Sequence, residues 1–352
     1  MAPMLERYVS PGKGNGLRAT TKIRRGVLVT SAEPVAYCVS NKRETERPAA
    51  AGSMLHVYLA KRAWPGHKTE CRCLCSLLPR HPTDSVRLAA RLIFTLVSVR
   101  NLTQTNLHKE IYLDSMPEQK KEGLSELATM LELYMETEIP DLKQRMTSEL
   151  PLSCREALSI IAKVTCNCFT ISDGELQEIG VGLYPSLSLL NHDCRPNCVM
   201  VFNGTELQLR AVQDINPGEE EQHKSHQWKP NLLTSAGEEV PDENLYKLKI
   251  TDMALDASVH LGRWEEALSF GLKTLPSYRL YYPDPHPVHG VQLMRVGKLQ
   301  HHLGCIDDAL ESFKEAFKIL KLTHGEGHPL IVDLMMKMEE CRSEIDLQQP
   351  SN

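Results

Sequence analysis

The sequence predicts an α+β body followed by an all-α domain. Three observations carry that expectation. Short apolar runs separated by glycine and proline turns fill the first 40 residues. Apolar residues at helical spacing take over from about Asp84 to Lys163. Residues 244–342 then repeat themselves at a constant offset of 42 residues. A chain of 352 residues has ample length for one or two domains with sizeable cores.

The first 40 residues read as strands and turns. Gly12, Gly14 and Gly16 lie in Pro-Gly-Lys-Gly-Asn-Gly-Leu-Arg-Ala. Glycines there permit positive φ angles or a close backbone approach, so a ligand loop and a plain β-turn both fit. No helix follows, which argues against a dinucleotide-binding fold. Ile23–Val29 looks like a turn into a strand, and Pro34–Val39 like another. Residues 54–75 place His67 and Cys71 four apart, a spacing that lets both reach one metal from one helical face. Zinc needs four ligands, however, and no Cys-x-x-Cys pair lies upstream. Apolar stripes at Val86–Val97, Leu124–Met135 and Leu158–Ala162 read as core-facing helices.

The centre of the chain is Gly180–Cys198, Gly-Val-Gly-Leu-Tyr-Pro-Ser-Leu-Ser-Leu-Leu-Asn-His-Asp-Cys-Arg-Pro-Asn-Cys. Glycine and proline mark tight turns. The segment collects a phenol, an amide, an imidazole and two thiols among apolar residues. Such groups need partners, so a buried turn with capping side chains and a functional segment are both open. Val199–Phe202 and Leu207–Val212 read as a hairpin around Asn203-Gly204. Residues 222–243 are charged, without a period, and read as a linker.

In the tail, His260-Leu261-Gly262 recurs as His302-Leu303-Gly304. Glu265-Glu266-Ala267-Leu268 recurs as Asp307-Asp308-Ala309-Leu310, and His286-Pro287 as His328-Pro329. Three matches at one offset point to stacked helix pairs of the tetratricopeptide type, each pair burying its neighbour's apolar face.

Composition narrows the function classes. The net charge of −5 gives no global basic field toward nucleic acid, and Lys61, Arg62 and Lys68 read as a solvated surface. Eleven cysteines suggest thiol or metal chemistry in a reducing compartment rather than a disulfide scaffold. No apolar run approaches membrane-spanning length, and the start lacks a signal-peptide core.

Taken together, the Gly-Lys-Gly-Asn-Gly-Leu-Arg-Ala stretch, Asn191-His192-Asp193-Cys194, the Gly218-Glu219-Glu220 turn and the repeat tail resemble the SMYD proteins. These are lysine methyltransferases whose SET domain is split by a MYND zinc finger. Cys166–Ile171, Gly180–Cys198 and the tail from Leu245 are most like the third paralogue of that family. The resemblance implies a SET-domain β-fold of short sheets with a threaded-loop pseudoknot and a helical insertion, then a tetratricopeptide-like domain. It divides the chain into 1–53 (N-terminal SET part), 54–75 (remnant of the finger), 76–163 (helical insertion), 164–221 (C-terminal SET core), 222–243 (linker) and 244–352 (helical domain).

By the same resemblance, Lys13, Gly14, Asn15, Asn167, Asn191 and His192 would bind S-adenosyl-L-methionine. Tyr184 would stand beside the channel admitting the substrate lysine and act as the catalytic residue. Cys194, His67 and Cys71 would be remnants of zinc sites, with zinc itself not expected. The implied partners are histone tails and other lysine-bearing proteins, with a heat-shock chaperone on the C-terminal domain and no membrane or direct DNA contact. The implied location is cytoplasm and nucleus.

The chain also departs from the family in blocks. The first half of the finger is missing, as is the Cys-x-Cys-x-x-Cys that would complete a zinc site with Cys194. The family's catalytic-tyrosine strand is replaced by Glu221-Gln222-His223-Lys224-Ser225-His226, and the next tyrosine is Tyr246. The leading expectation is a protein-lysine methyltransferase weakened by that loss. The alternative is an inactive scaffold that binds partners through its helical repeats.

Overall fold

The structure is a computed structural model that describes residues 4–40, 70–71, 74–75, 82–98, 116–136, 156–193, 195–223 and 244–348. His67, Cys194, Lys61, Arg62 and Lys68 lie outside the described residues.

The glycine-rich start forms a hairpin. Strand β1 (Leu5–Ser10) pairs antiparallel with β2 (Gly14–Ala19), closing at Ser10 opposite Gly14. Gly12 and Gly14 take φ angles of 74° and 80°, which side chains strain to adopt. Two three-stranded antiparallel sheets follow. One orders β3 (Leu28–Ala32), β9 (Glu206–Ala211) and β8 (Cys198–Asn203). The other orders β4 (Ala36–Val39), β6 (Glu178–Leu183) and β5 (Cys168–Ser172). The β8–β9 hairpin turns at Gly204, φ 66°, and β8 ends at Asn203, one residue beyond the predicted strand end at Phe202. Ile23, at the start of the turn that leads into β3, makes an isolated bridge to Ile215.

Helix α1 (Asp84–Ser98) packs against β4 and β6, while α2 (Glu118–Glu136) and α3 (Ala157–Asn167) pack against α1 and each other. Their stripes, including Leu88, Leu92, Leu131 and Ile160, close one core with Leu183. A buried ion cluster ties this layer to the segment before it. Glu70 accepts from Arg87 Nε and Arg91 Nε, each at 2.8 Å. The same guanidiniums donate onward to the carbonyls of Val39 and Tyr37 on β4. A second core, centred on Ile23, Ile171, Tyr184, Leu207 and Leu209, fills the space between the sheets and the β1–β2 hairpin.

The 42-residue repeat is exact in the helices. Helix α4 (Leu245–His260) returns as α6 (Pro287–His302), and α5 (Trp264–Tyr281) starts 42 residues before α7 (Ile306–His324). Gly262 and Gly304 end the first helix of each pair in the left-handed region, at φ 68° and 79°. Helix α8 (Pro329–Gln348) completes the stack. The close approach of α6 to α7 depends on Gly290 and Gly297, whose added Cβ would come within 2.7 Å of Leu320 and 2.6 Å of Phe313.

The helical domain docks on the SET body. Lys298 pairs with Glu175 at 2.7 Å, and His328 reaches the β8 backbone. The body itself extends past the expected boundary at residue 221. Strand β10 (Gln222–His223) pairs parallel with β7 (Asn191–His192), because Glu221 N donates to Leu17 O at 2.9 Å and draws the chain between the hairpin and the central segment. The rest of the expected linker, 224–243, is outside the described residues.

Candidate active site

The site is built where segments far apart in sequence meet. The chain from Gly218 to His223 passes between β2 and β7. On one side, Ala19 N donates to Glu219 O and Glu221 N to Leu17 O, both at 2.9 Å. On the other, Gln222 and His223 pair with Asn191 and His192. Asn197 Nδ2 donates to Glu220 O at 2.8 Å and closes the junction.

Gly16 sets how closely these pieces approach. A Cβ there would lie 2.8 Å from Glu220 Oε1, 3.0 Å from Asn191 Nδ2 and 3.1 Å from the Tyr8 ring. Glycine at this position matters through proximity, not φ, because an added Cβ would displace the side-chain ends of Glu220 and Asn191. Asn191 Nδ2 donates to Glu220 Oε1 at 2.7 Å, and Lys13 Nζ lies 3.9 Å from Glu220 Oε2. Asn15 Oδ1 accepts from Arg7 Nε at 3.3 Å across the hairpin. The structure thus gathers Lys13, Gly16 and Asn191 around Glu220.

Asn167 ends α3 and is fully buried. Its Nδ2 donates to Lys163 O at 2.7 Å, while Oδ1 has no hydrogen-bond partner among the described residues. An orphaned buried acceptor costs about 1–3 kcal/mol. Its neighbours Cys166 and Cys168 line a cavity of about 930 Å³, as do Asn191 and the exposed His192. The cavity lies between the SET body and the helical domain, whose wall includes Tyr278 and Arg295.

Tyr184 requires a correction. It is fully buried and, like Lys13, Gly14, Asn15 and Asn167, is not among the residues lining this cavity. Its hydroxyl donates to Thr205 O at 2.5 Å, and its ring packs edge-on against Phe169 and Phe202. Burial pushes its phenol far above the ordinary tyrosine range. The apolar segment Leu187–Leu190 carries Tyr184 into the core rather than to the cleft, so it supports the wall instead of facing a substrate. The tyrosine on the cavity wall is Tyr278, and its hydroxyl donates to Asp252 Oδ2 at 2.5 Å. Tyr246 is exposed on α4.

Sequence reasoning missed two groups. Glu220 appeared only as part of a turn, although its carboxylate meets the binding residues. Glu221 is fully buried where an apolar residue would be expected, and Cys198 Sγ donates to its Oε2 at 2.5 Å. Burial raises the Glu221 carboxyl, and burial with the nearby Glu221 charge raises the Cys198 thiol. Their signal was the run of three glutamates after Gly218. Among the described residues, no cluster of three or more His, Cys, Asp or Glu could hold a metal; Cys71 has Cys75 beside it and no further such ligands.

The SET-domain family profile matches residues 14–220. Human histone-lysine N-methyltransferase SMYD3 is 36% identical over 432 aligned positions, covering 98% of this chain and 99% of that protein. Zebrafish N-lysine methyltransferase SMYD2-A is 26% identical, covering 95% and 98%. An alignment of 432 positions exceeds the 352 residues available, so the relative carries whole segments that this chain lacks. A solved SET domain of LSMT bound to lysine and AdoHcy overlaps at 14% identity and a TM-score of 0.31, covering 99% of this chain and 89% of that one. That overlap is too loose to bear on the site. With the profile spanning more than half the chain and a full-length relative above 30% identity, the chain belongs to the SET-domain family, in its SMYD branch.

Proposed function

We propose that this protein is an S-adenosyl-L-methionine-dependent protein-lysine N-methyltransferase. It acts on lysines of histone tails and other proteins, in cytoplasm and nucleus. The observation that carries this reading is the meeting of the Lys13–Gly16 hairpin, Asn191 and Glu220 beside a cavity that Asn191 and His192 line. The names of the relatives support the same reading.

The residues present fit the methyl donor. Asn167 Oδ1 is an acceptor suited to the ammonium of the donor's amino-acid end, and Lys13, Gly14, Asn15, Asn191 and His192 would hold the rest. When bound, the donor supplies an electrophilic methyl on a sulfonium. The chain's own residues must then deliver a neutral amine in line with it. Free lysine, with a pKa near 10.4, is neutral in only about one molecule in a few thousand at pH 7. The apolar lining at Phe169, Leu190 and Phe202 disfavours the ammonium by withholding water. Holding amine and methyl in line supplies much of the acceleration. The helical wall with Arg295 supports the residues flanking the target lysine. No zinc is assigned and no step requires one.

The test is calorimetric titration of the full chain with S-adenosyl-L-methionine, followed by transfer of labelled methyl to histones. Binding and transfer, both lost in Asn191→Ala, are expected. A chain that takes up no cofactor overturns the reading. The stacked helix pairs support a further role, docking the C-terminus of the ninety-kilodalton heat-shock chaperone. Capture of that peptide by the full chain checks it, and failure to capture it removes the role.

A further inference from the structure

We propose that Glu220 is a positioning residue for the methyl donor, its carboxylate fixing the amide of Asn191 and coupling it to the Lys13 hairpin. This rests on the methyltransferase reading above. The alternative is that Glu220 merely staples its own strand in place. The backbone already does that. Glu220 O accepts from Asn197 Nδ2, Glu221 N donates to Leu17 O, and Ala19 N donates to Glu219 O. None of these bonds uses the Glu220 side chain.

The side chain instead reaches the residues assigned to the donor. Oε1 accepts from Asn191 Nδ2 at 2.7 Å, and Oε2 lies 3.9 Å from Lys13 Nζ. The Tyr8 hydroxyl also hydrogen-bonds Glu220, and that bond, after burial and an opposing one from Ser10, helps raise its pKa. An asparagine amide has two ends, one donor and one acceptor. A carboxylate accepts only, so it selects the end that faces it. Glu220 therefore fixes the Asn191 amide with its donor toward the carboxylate and its acceptor turned away. Gly16 lets β2 lie against this pair, where any Cβ would strike both partners.

The test measures S-adenosyl-L-methionine affinity of the full chain by calorimetry, with melting recorded alongside. E220A is expected to weaken binding by about 10-fold, the scale of one charge-assisted bond, while the melting temperature moves little. N191D sets two carboxylates face to face and weakens binding at least as much. The reversal E220Q/N191D exchanges donor for acceptor and keeps the net charge, so it restores affinity to within about 3-fold of the parent. A purely structural glutamate would not show that rescue. Unchanged affinity in E220A, or a reversal that binds no better than N191D, overturns the role alone. If E220A does not fold, E220Q and the reversal carry the comparison. A parent chain that binds no donor overturns the methyltransferase reading and this role together.

Discussion

His328 Nε2 lies 2.9 Å from the carbonyl oxygen of Phe202, joining the start of α8 to β8 across the domain boundary. Its Nδ1 accepts from Leu330 N at 3.2 Å, so the two bonds together fix the neutral ring with its proton on Nε2. His324 packs edge-on against it, and Arg210 of β9 lies beside both.

Acid should loosen this junction. Burial, then His328 and Arg210, push His324 down to about 3, and burial lowers His328 as well. Both rings are neutral when folded, while in the unfolded chain they titrate near 6.5. The unfolded state therefore binds more protons once the pH drops below that value. Their stabilising contribution is complete above about pH 6.5 and falls as the pH drops from there, down to about 3 for His324, by at most about 1.4 kcal/mol per unit for each ring. Urea unfolding at pH 7.5 and 5.5 checks this. Replacing His324 by Gln should flatten the difference, and an equally steep dependence in that variant would refute it.

Glu70 holds two buried guanidiniums. Glu70→Gln removes the carboxylate shared by Arg87 and Arg91, which are only 3% and 7% exposed, and leaves Arg87 its weaker pair with Asp84 at 3.4 Å. Breaking one side of a buried ion cluster costs about 3–5 kcal/mol. A matching drop in denaturant midpoint is expected, whereas a loss under about 1 kcal/mol would show that water relieves the pair.

Gly297→Ala should destabilise the helical domain. The new methyl would sit 2.6 Å from the ring of Phe313, itself fully buried. Overpacking of this kind costs about 1–3 kcal/mol. Scanning calorimetry should show a lower helical-domain transition, and an unchanged thermogram would mean that α6 and α7 part without cost.

Tyr184→Phe should separate stability from cofactor binding. It leaves Thr205 O without its buried donor, at a cost of about 1–3 kcal/mol, and does not touch the cavity. Unfolding by urea should reveal the loss, while S-adenosyl-L-methionine affinity stays level. A fall in affinity without a fall in stability would return Tyr184 to the cleft.

Gly16→Ala tests the proximity argument. The added methyl meets the far ends of Glu220 and Asn191, which can swing aside, so folding should survive. The cost should appear as donor affinity weakened by about 10-fold, through the displaced pair. Equal affinity in the variant would show that the close approach is not needed.

The amino-acid order alone determined the layout of this protein. The 42-residue offset announced repeated helix pairs, since left-handed turns at Gly262 and Gly304 are local effects. The central Asn-His segment stood out as polar groups in an apolar run, which need partners whether in a buried turn or a functional segment. Only the tertiary structure decided which polar groups face each other. Tyr184 and Tyr278 look equally available in one dimension, yet core packing commits the first to Thr205 and the second to Asp252. Glu220 is one of three consecutive glutamates in the sequence, and it becomes a partner of Asn191 because a strand 29 residues later passes between hairpin and centre. Burial and charge pairing depend on distances through space, which sequence spacing does not encode.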